Sequence, residues 1–235
     1  MSVRANIEPL IWDSNFFKIS IAKLVELNGD NAVSLKGDVL DSYQLVQAKI
    51  DSNQHEHLLL LQELGFFVVD SEVDLRIDVP EIVPTNPICL DLATESALPA
   101  LKKIASDAFS ISRYREPWFS REDNARLYSE WVEKAVFGRF DDLCPIIRDA
   151  PDQIKGFVTL KEVDDKQMRI GLLAVNPDYY QQGVGRQLMQ GALSWCSEHN
   201  KQTLWVATQV ANLPALHLYI RSGATIASTS YWLYR

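Results

Sequence analysis

The sequence predicts a mixed α/β protein of the α+β kind: a central mixed, mostly antiparallel sheet carrying helices, preceded by a small N-terminal α/β domain. Three observations predict it. "LCPIIRD", "IKGFVTLKEV" and "MRIGLLAVN" are apolar, β-branched runs joined by the short polar links "APDQ" and "DDKQ", which favour antiparallel hairpins. After them the pattern becomes helix, strand, helix, strand. Before them, "VPEIVPTNP" sets Pro80, Pro84 and Pro87 close together, removing backbone donors and favouring extended geometry, as in a linker. The expected division is 1–85 for the small domain and 86–235 for the larger one.

In the first part, "QAKIDSNQHEHLLLLQELGF" places Ile50, Leu58, Leu61 and Leu64 at helical spacing, closed by Gly65. "FFVVDSEVDLRIDV" then alternates, with Val69, Ser71, Val73, Leu75 and Ile77 on one side and Asp70, Glu72, Asp74, Arg76 and Asp78 on the other, which predicts a strand. Beyond the linker, "ICLDLAT" predicts a strand. "ESALPALKKIASDAF" predicts a helix with Leu98, Leu101, Ile104, Ala105 and Ala108 on one face. A loop "SISRYREPWFS" leads to the helix "REDNARLYSEWVEKAVFG", with Tyr128, Trp131, Val132, Ala135 and Val136 inward and Gly138 at its end. After the three strands come a helix over 183–200, the strand "TLWVATQV", a helix over 212–222 and a final strand pair through "ATIASTSYWLYR".

Composition excludes several classes. With 47% hydrophobic and 23% charged residues, a 235-residue chain builds an ordinary globular core. No apolar run reaches the roughly 18 residues of a membrane span, and the opening residues lack a signal-peptide core, so a cytoplasmic protein is expected. The net charge of −8 disfavours nucleic acid as a partner. Cys89, Cys144 and Cys196 lie far apart without CxxC spacing, and His55, His57, His199 and His217 show no ligand pattern, so no metal is expected.

The segment "NPDYYQQGVGRQLM" turns from strand to helix through two glycines. The first amides of a helix lack internal partners and carry the positive end of its dipole, and Gly183 and Gly185 bring no Cβ, so a phosphate can approach. A tight turn with close helix packing explains the same glycines. The dinucleotide fingerprint is incomplete, and no Gly-Lys-Ser/Thr follows for a P-loop.

In its context, after the third strand of an antiparallel run and before "NLPALHLYIRSGA", this turn resembles the pyrophosphate loop of the GNAT acetyltransferases, Gln/Arg-x-x-Gly-x-Gly/Ala. The resemblance implies that residues Gln181, Gln182, Gly183, Val184, Gly185 and Arg186 wrap the pyrophosphate of acetyl-CoA, with Tyr180 where that family carries Gln or Arg. Asn212, Tyr219 and Gly223 match the next signature. "VRANIEPLIWDSNFF", "VQAKI", "LGFFVVDSEVDL", "RYREPWF" and "STSYWLYR" further resemble the nucleotide-sugar N-acetyltransferases of enterobacterial common antigen synthesis, over essentially the whole chain. That likeness implies acetyl transfer to the 4-amino group of dTDP-4-amino-4,6-dideoxy-D-galactose and a homodimer.

No Cys-His or Ser-His-Asp pattern suggests an acyl-enzyme, so direct attack in a ternary complex is expected. The resemblance implies that backbone amides in Leu172, Leu173, Ala174 and Val175 face the acetyl carbonyl and pantetheine, and that Tyr219 is the general acid; by spacing alone Tyr219 also reads as a core residue. Asn212 reads as a helix cap or as a pantetheine contact. The acidic strand face, solvated or lining a cleft, offers Asp70 and then Glu72 as base, with a water chain as the alternative. Arg113, Tyr114, Arg115 and Trp118 suit a diphosphate and a thymine face, or else form a surface loop. Competing readings are a GNAT enzyme for another amine, such as a peptide N-terminus or an aminoglycoside, and a non-catalytic acetyl-CoA sensor.

Overall fold

The computed structural model describes residues 4–27, 32–35, 37–80, 88, 90–150 and 153–235. In chain order they form β1 (Arg4–Pro9), α1 (Ile11–Phe17), β2 (Ile21–Val25), β3 (Val33–Ser34), α2 (Gly37–Leu40), β4 (Leu45–Asp51), α3 (His55–Glu63), β5 (Phe67–Asp78) and β6 (Asp91–Leu92). Then follow α4 (Leu98–Ala108), α5 (Arg121–Val136), β7 (Pro145–Arg148), β8 (Ile154–Asp164), β9 (Gln167–Val175), α6 (Val184–Glu198), β10 (Thr203–Gln209), α7 (Leu213–Arg221) and β11 (Thr225–Tyr234). None of the described helices is long and apolar enough to cross a membrane. The chain divides into two compact units, Met1–Val73 with Ser228–Arg235, and Asp74–Ala227. The division falls within β5 and again within β11. Apart from Pro80, the expected linker over 80–87 lies outside the described residues.

In the first unit the strand order is β3-β1-β2-β4-β11. β4 runs parallel to β2 and antiparallel to β11, from Ser230↔Asp51 to Tyr234↔Gln47. Ile50 therefore sits in a strand, not in the helix its spacing predicted. Val46, Ala48 and Ile50 join the cluster of Leu61 and Leu233, and strand pairing on both edges of β4 overrides the longer helical pattern. Helix α3 starts only at His55 and closes at Gly65, which takes φ +85°. Thr225–Tyr234 form one strand, β11, rather than the expected pair. Arg235 then donates from Nε to the Leu64 carbonyl at 2.7 Å and from its guanidinium to Asp41 at 2.6 Å.

The second unit holds the order β5-β10-β9-β8-β7-β6. β7, β8 and β9 are antiparallel, as expected, and β9 pairs parallel with β10. The strand predicted at "ICLDLAT" shrinks to the two-residue edge β6, with Cys89 outside the described residues. Leu101, Ile104 and Ala105 of α4 are buried, as are Leu127, Tyr128, Val132 and Ala135 of α5. Ser120 caps α5, accepting from the Asp123 amide at 3.0 Å. Helix α6 ends with Asn200 at φ +57° while the amide of Lys201 reaches back to Cys196, a Schellman closure.

Candidate active site

The site is built on the second unit where β9 and β10 part. Their parallel ladder ends at Ile170↔Val206, although β9 continues to Val175 and β10 to Gln209. On its other edge β9 pairs with β8 through Phe157↔Ala174, and the Asn176 amide donates to the Lys155 carbonyl at 2.7 Å. Antiparallel alternation therefore turns the Ala174 amide toward β8 and the amides of Leu173 and Val175 toward the opening beside β10. Leu172 differs from the expectation: its amide donates to the buried hydroxyl of Thr159 at 2.8 Å. Of the four strand residues, Leu173 and Val175 carry the amides that can meet a ligand in the opening.

Directly after β9, Asn176 accepts from the Asp178 amide and a 3-10 turn covers Pro177–Tyr179. Gly183 then caps α6 at φ +79°, with Gln181 at φ +61° before it. The first intrahelical bond runs from the Gln187 amide to the Gly183 carbonyl, at 3.0 Å. The amides of Val184, Gly185 and Arg186 consequently have no intrahelical acceptor. No acidic residue occupies the first turn and no side chain caps it. Together these make a positive helix end of the kind that holds phosphate, each such contact contributing about 0.3–2 kcal/mol according to burial.

The two glycines do different work. A Cβ on Gly183 would meet nothing within 4 Å, so its backbone conformation and open approach explain it. A Cβ on Gly185 would lie 3.2 Å from Leu218 Cδ2, so this glycine lets α6 pack on α7. Gln182 donates to the Asp178 carbonyl at 3.1 Å, and Tyr180 is exposed beside it.

Helix α7 holds Tyr219 at a fixed height. Asn212 caps the helix, accepting from the Ala215 amide at 3.4 Å, and donates to Thr208 of β10 at 3.1 Å. At the other end Gly223 donates to Ile220 and Ala224 to the Tyr219 carbonyl, a second Schellman closure with Gly223 at φ +95°. Tyr219 is buried, and burial alone raises its phenol well above the ordinary tyrosine value. It therefore holds its proton throughout the neutral range. Cys196 is pushed up to about 12 by burial, with Lys201 partly offsetting it, and Cys144 is raised by burial and by the neighbouring Asp141. Neither of these two thiols ionises near neutrality.

The aromatic loop is also placed in this unit. Arg113 stacks on Tyr114 at 4.2 Å and donates to its hydroxyl at 2.6 Å. Arg115 donates to the Ser112 carbonyl at 2.8 Å, and buried Asn124 donates to the Tyr114 carbonyl at 2.7 Å, so both fasten the loop. Trp118 is half-buried, its amide donating to the Arg115 carbonyl. Asp70 and Glu72 belong to the first unit. The Ser71 amide donates to Asp70, while Glu72 pairs with Lys49 at 2.5 Å and accepts from the Trp232 indole at 3.0 Å. No group of three metal-ligating side chains gathers among the described residues.

Residues 98–224, more than half of the chain, match the Acetyltransferase (GNAT) family. This chain belongs to the GNAT acetyltransferase family. GNAT enzymes use acetyl-CoA, and in this chain the open α6 terminus and the parted strands present backbone amides without backbone acceptors. The chain is 43% identical over 235 residues, all of both chains, to "dTDP-fucosamine acetyltransferase" of Escherichia coli O6:H1. It is 29% identical over 105 residues to "[Ribosomal protein bS18]-alanine N-acetyltransferase" of Salmonella typhimurium, a match covering 43% of this chain and 70% of that one. A solved GCN5-related N-acetyltransferase from Sphaerobacter thermophilus superposes with a TM-score of 0.65 at 15% identity, covering 99% of this GNAT chain and 76% of the other, a likeness of fold.

Sequence reasoning missed Thr159, Asp141 and Gly171. The available signal was Gly171 itself, a glycine inside a β-branched strand pattern, which marks a bulge or a close approach.

Proposed function

We propose that this GNAT enzyme transfers acetyl from acetyl-CoA to the 4-amino group of dTDP-4-amino-4,6-dideoxy-D-galactose, by direct attack in a ternary complex, in enterobacterial common antigen biosynthesis. The observation that carries the substrate is the 43% identity to the Escherichia coli dTDP-fucosamine acetyltransferase, which extends over both chains entire. The peptide-terminus reading rests on a match to only 43% of the chain, at 29% identity.

The bound coenzyme supplies an activated thioester. The residues of this chain do the rest. The amides of Val184, Gly185 and Arg186, presented by the turn through Tyr180, Gln181, Gln182 and Gly183, receive the pyrophosphate. Asn212 fixes the start of α7 and β10 beside the pantetheine path. The Leu173 and Val175 amides donate to the acyl oxygen and pantetheine, so charge developing on the carbonyl meets fixed dipoles. Tyr219 donates a hydrogen bond to the departing sulfur. A phenol of ordinary pKa about 10 against a thiol of about 8.5 makes full proton transfer uphill by about 2 kcal/mol, and burial of Tyr219 steepens that slope. A bond that strengthens as the thiolate forms is therefore its contribution. Arg113, Tyr114, Arg115 and Trp118 are assigned to the nucleotide, Arg113 and Tyr114 as a preformed stacked pair.

The base is assigned to Asp70 first and Glu72 second, both on the acidic face of β5. A carboxylate base must be ionised, so the rate falls as pH drops through its pKa. The Asp70→Asn enzyme is expected to be slow and to lack that acidic limb; an unchanged limb would argue for a water chain.

The reading as a whole is tested by mixing the protein with acetyl-CoA and a panel of dTDP-amino sugars, alanyl peptides and aminoglycosides while following free thiol. Saturable thiol release with the 4-amino sugar alone is expected, from a cytoplasmic enzyme that light scattering sizes as a homodimer. Release with peptide alone would replace the substrate, and coenzyme binding without release to any amine would leave a sensor.

A further inference from the structure

We infer that Thr159, held by Asp141 and Trp131, is a positioning residue that sets the β9 bulge and thereby aims the Leu173 amide. The β8–β9 register changes between Val158↔Leu173 and Leu160↔Ile170, so β9 carries one residue more than β8 across Gly171 and Leu172. A bulge breaks the ladder and would leave the Leu172 amide without a backbone acceptor in the core. Thr159 fills that place, its hydroxyl accepting from Leu172 at 2.8 Å. The direction of the chain is fixed by its far end. Asp141 Oδ2 accepts from Thr159 Oγ1 at 2.5 Å and from Trp131 Nε1 at 2.8 Å. The Leu172 amide and the Trp131 indole can only donate, so the single hydroxyl proton of Thr159 points to Asp141 and a lone pair is left for Leu172.

Both Asp141 and Thr159 are almost wholly buried, at 1% and 0% exposure, where such a chain holds one arrangement. Gly171 belongs to the same device: a Cβ there would lie 2.2 Å from Asp141 Oδ2, so the carboxylate packs directly on the bulge backbone. Leu173 follows Leu172 immediately, and its amide leaves the strand on the opposite side. Fixing Leu172 toward β8 fixes Leu173 toward the opening beside β10. None of the three side chains needs to touch a ligand.

This inference rests on the acetyl-transfer reading, and the two fail differently. Wild-type enzyme that binds no acetyl-CoA would end that reading. Wild-type turnover with an indifferent Thr159 would end only this inference. The test replaces Thr159 by the isosteric valine and by serine, then measures kcat, the calorimetric Kd for acetyl-CoA and Tm. Thr159→Val is expected to lower kcat by about tenfold to a hundredfold, as a donor displaced by a fraction of an ångström would, while Kd stays within about threefold because the pyrophosphate contacts are untouched. Thr159→Ser, which keeps the hydroxyl, restores kcat. Unchanged kcat in the valine variant overturns the inference, as does a kcat loss that serine fails to restore or that Kd follows in proportion. Where Thr159→Val yields no soluble protein, Trp131→Phe removes one donor from Asp141 at a half-buried position. It is expected to show the same split at about three- to tenfold in kcat, and unchanged kcat there counts equally against the inference.

Discussion

Tyr219→Phe is expected to lower kcat by about a hundredfold or more, while KM for acetyl-CoA stays within about twofold. The change removes one oxygen from a helix fastened at both ends, by Asn212 at its start and by the Gly223 and Ala224 amides at its close. The fold therefore has no reason to move, and Tm should report that. What is lost is a donor that matters only when sulfur becomes negative, which is why kcat and not KM carries the effect. The buried phenol holds its proton above its ordinary range, so no basic limb below pH about 10 should belong to it. Steady-state kinetics at saturating sugar decide the matter, and unchanged turnover would leave Tyr219 as a core residue of α7.

Gly183→Val is expected to act on the other parameter, raising KM for acetyl-CoA by about tenfold to a hundredfold with a smaller change in kcat. Two causes add. A β-branched residue at φ +79° strains the turn by about 1–2 kcal/mol. Its methyl groups also stand in front of the amides of Val184, Gly185 and Arg186, where the space is open. Gly185→Ala makes the contrast, because its methyl meets Leu218 at 3.2 Å and disturbs the seating of α6 on α7. Titration and scanning calorimetry separate the cases: a large loss of affinity with only the modest fall in Tm that the strain causes for position 183, and a fall in Tm with nearly unchanged affinity for position 185. Normal affinity in Gly183→Val would place the pyrophosphate elsewhere.

Much of this architecture is legible along the chain because local signals and tertiary packing agree. Alternation marked β5, apolar runs with short polar joints marked β8 and β9, and Gly65 and Gly138 marked helix ends where φ is positive. The glycine turn was legible because a helix start advertises its free amides. Ile50 misled because a strand of seven residues next to a helix shares enough apolar positions to imitate a longer helix. The single strand β11 was hidden because nothing in "TIASTSYWLY" says that its two ends serve different units. Thr159 and Asp141 were invisible for a different reason. They are 18 residues apart, on no common period, and only the pairing of the Asp142–Leu143 stretch with Leu160 brings them together.

The strand β11 also governs the order in which the molecule can be assembled. Ser52 meets Thr229 across 177 residues of sequence, and Arg235 reaches Asp41 across 194. The first unit thus waits for its closing edge until the whole acetyltransferase unit has been threaded past, and β4 remains an unzipped border in the interim. Long-range closure of this kind is slow and leaves sticky edges on a nascent chain. Clipping the last eight residues would therefore orphan the beginning of the chain rather than its end.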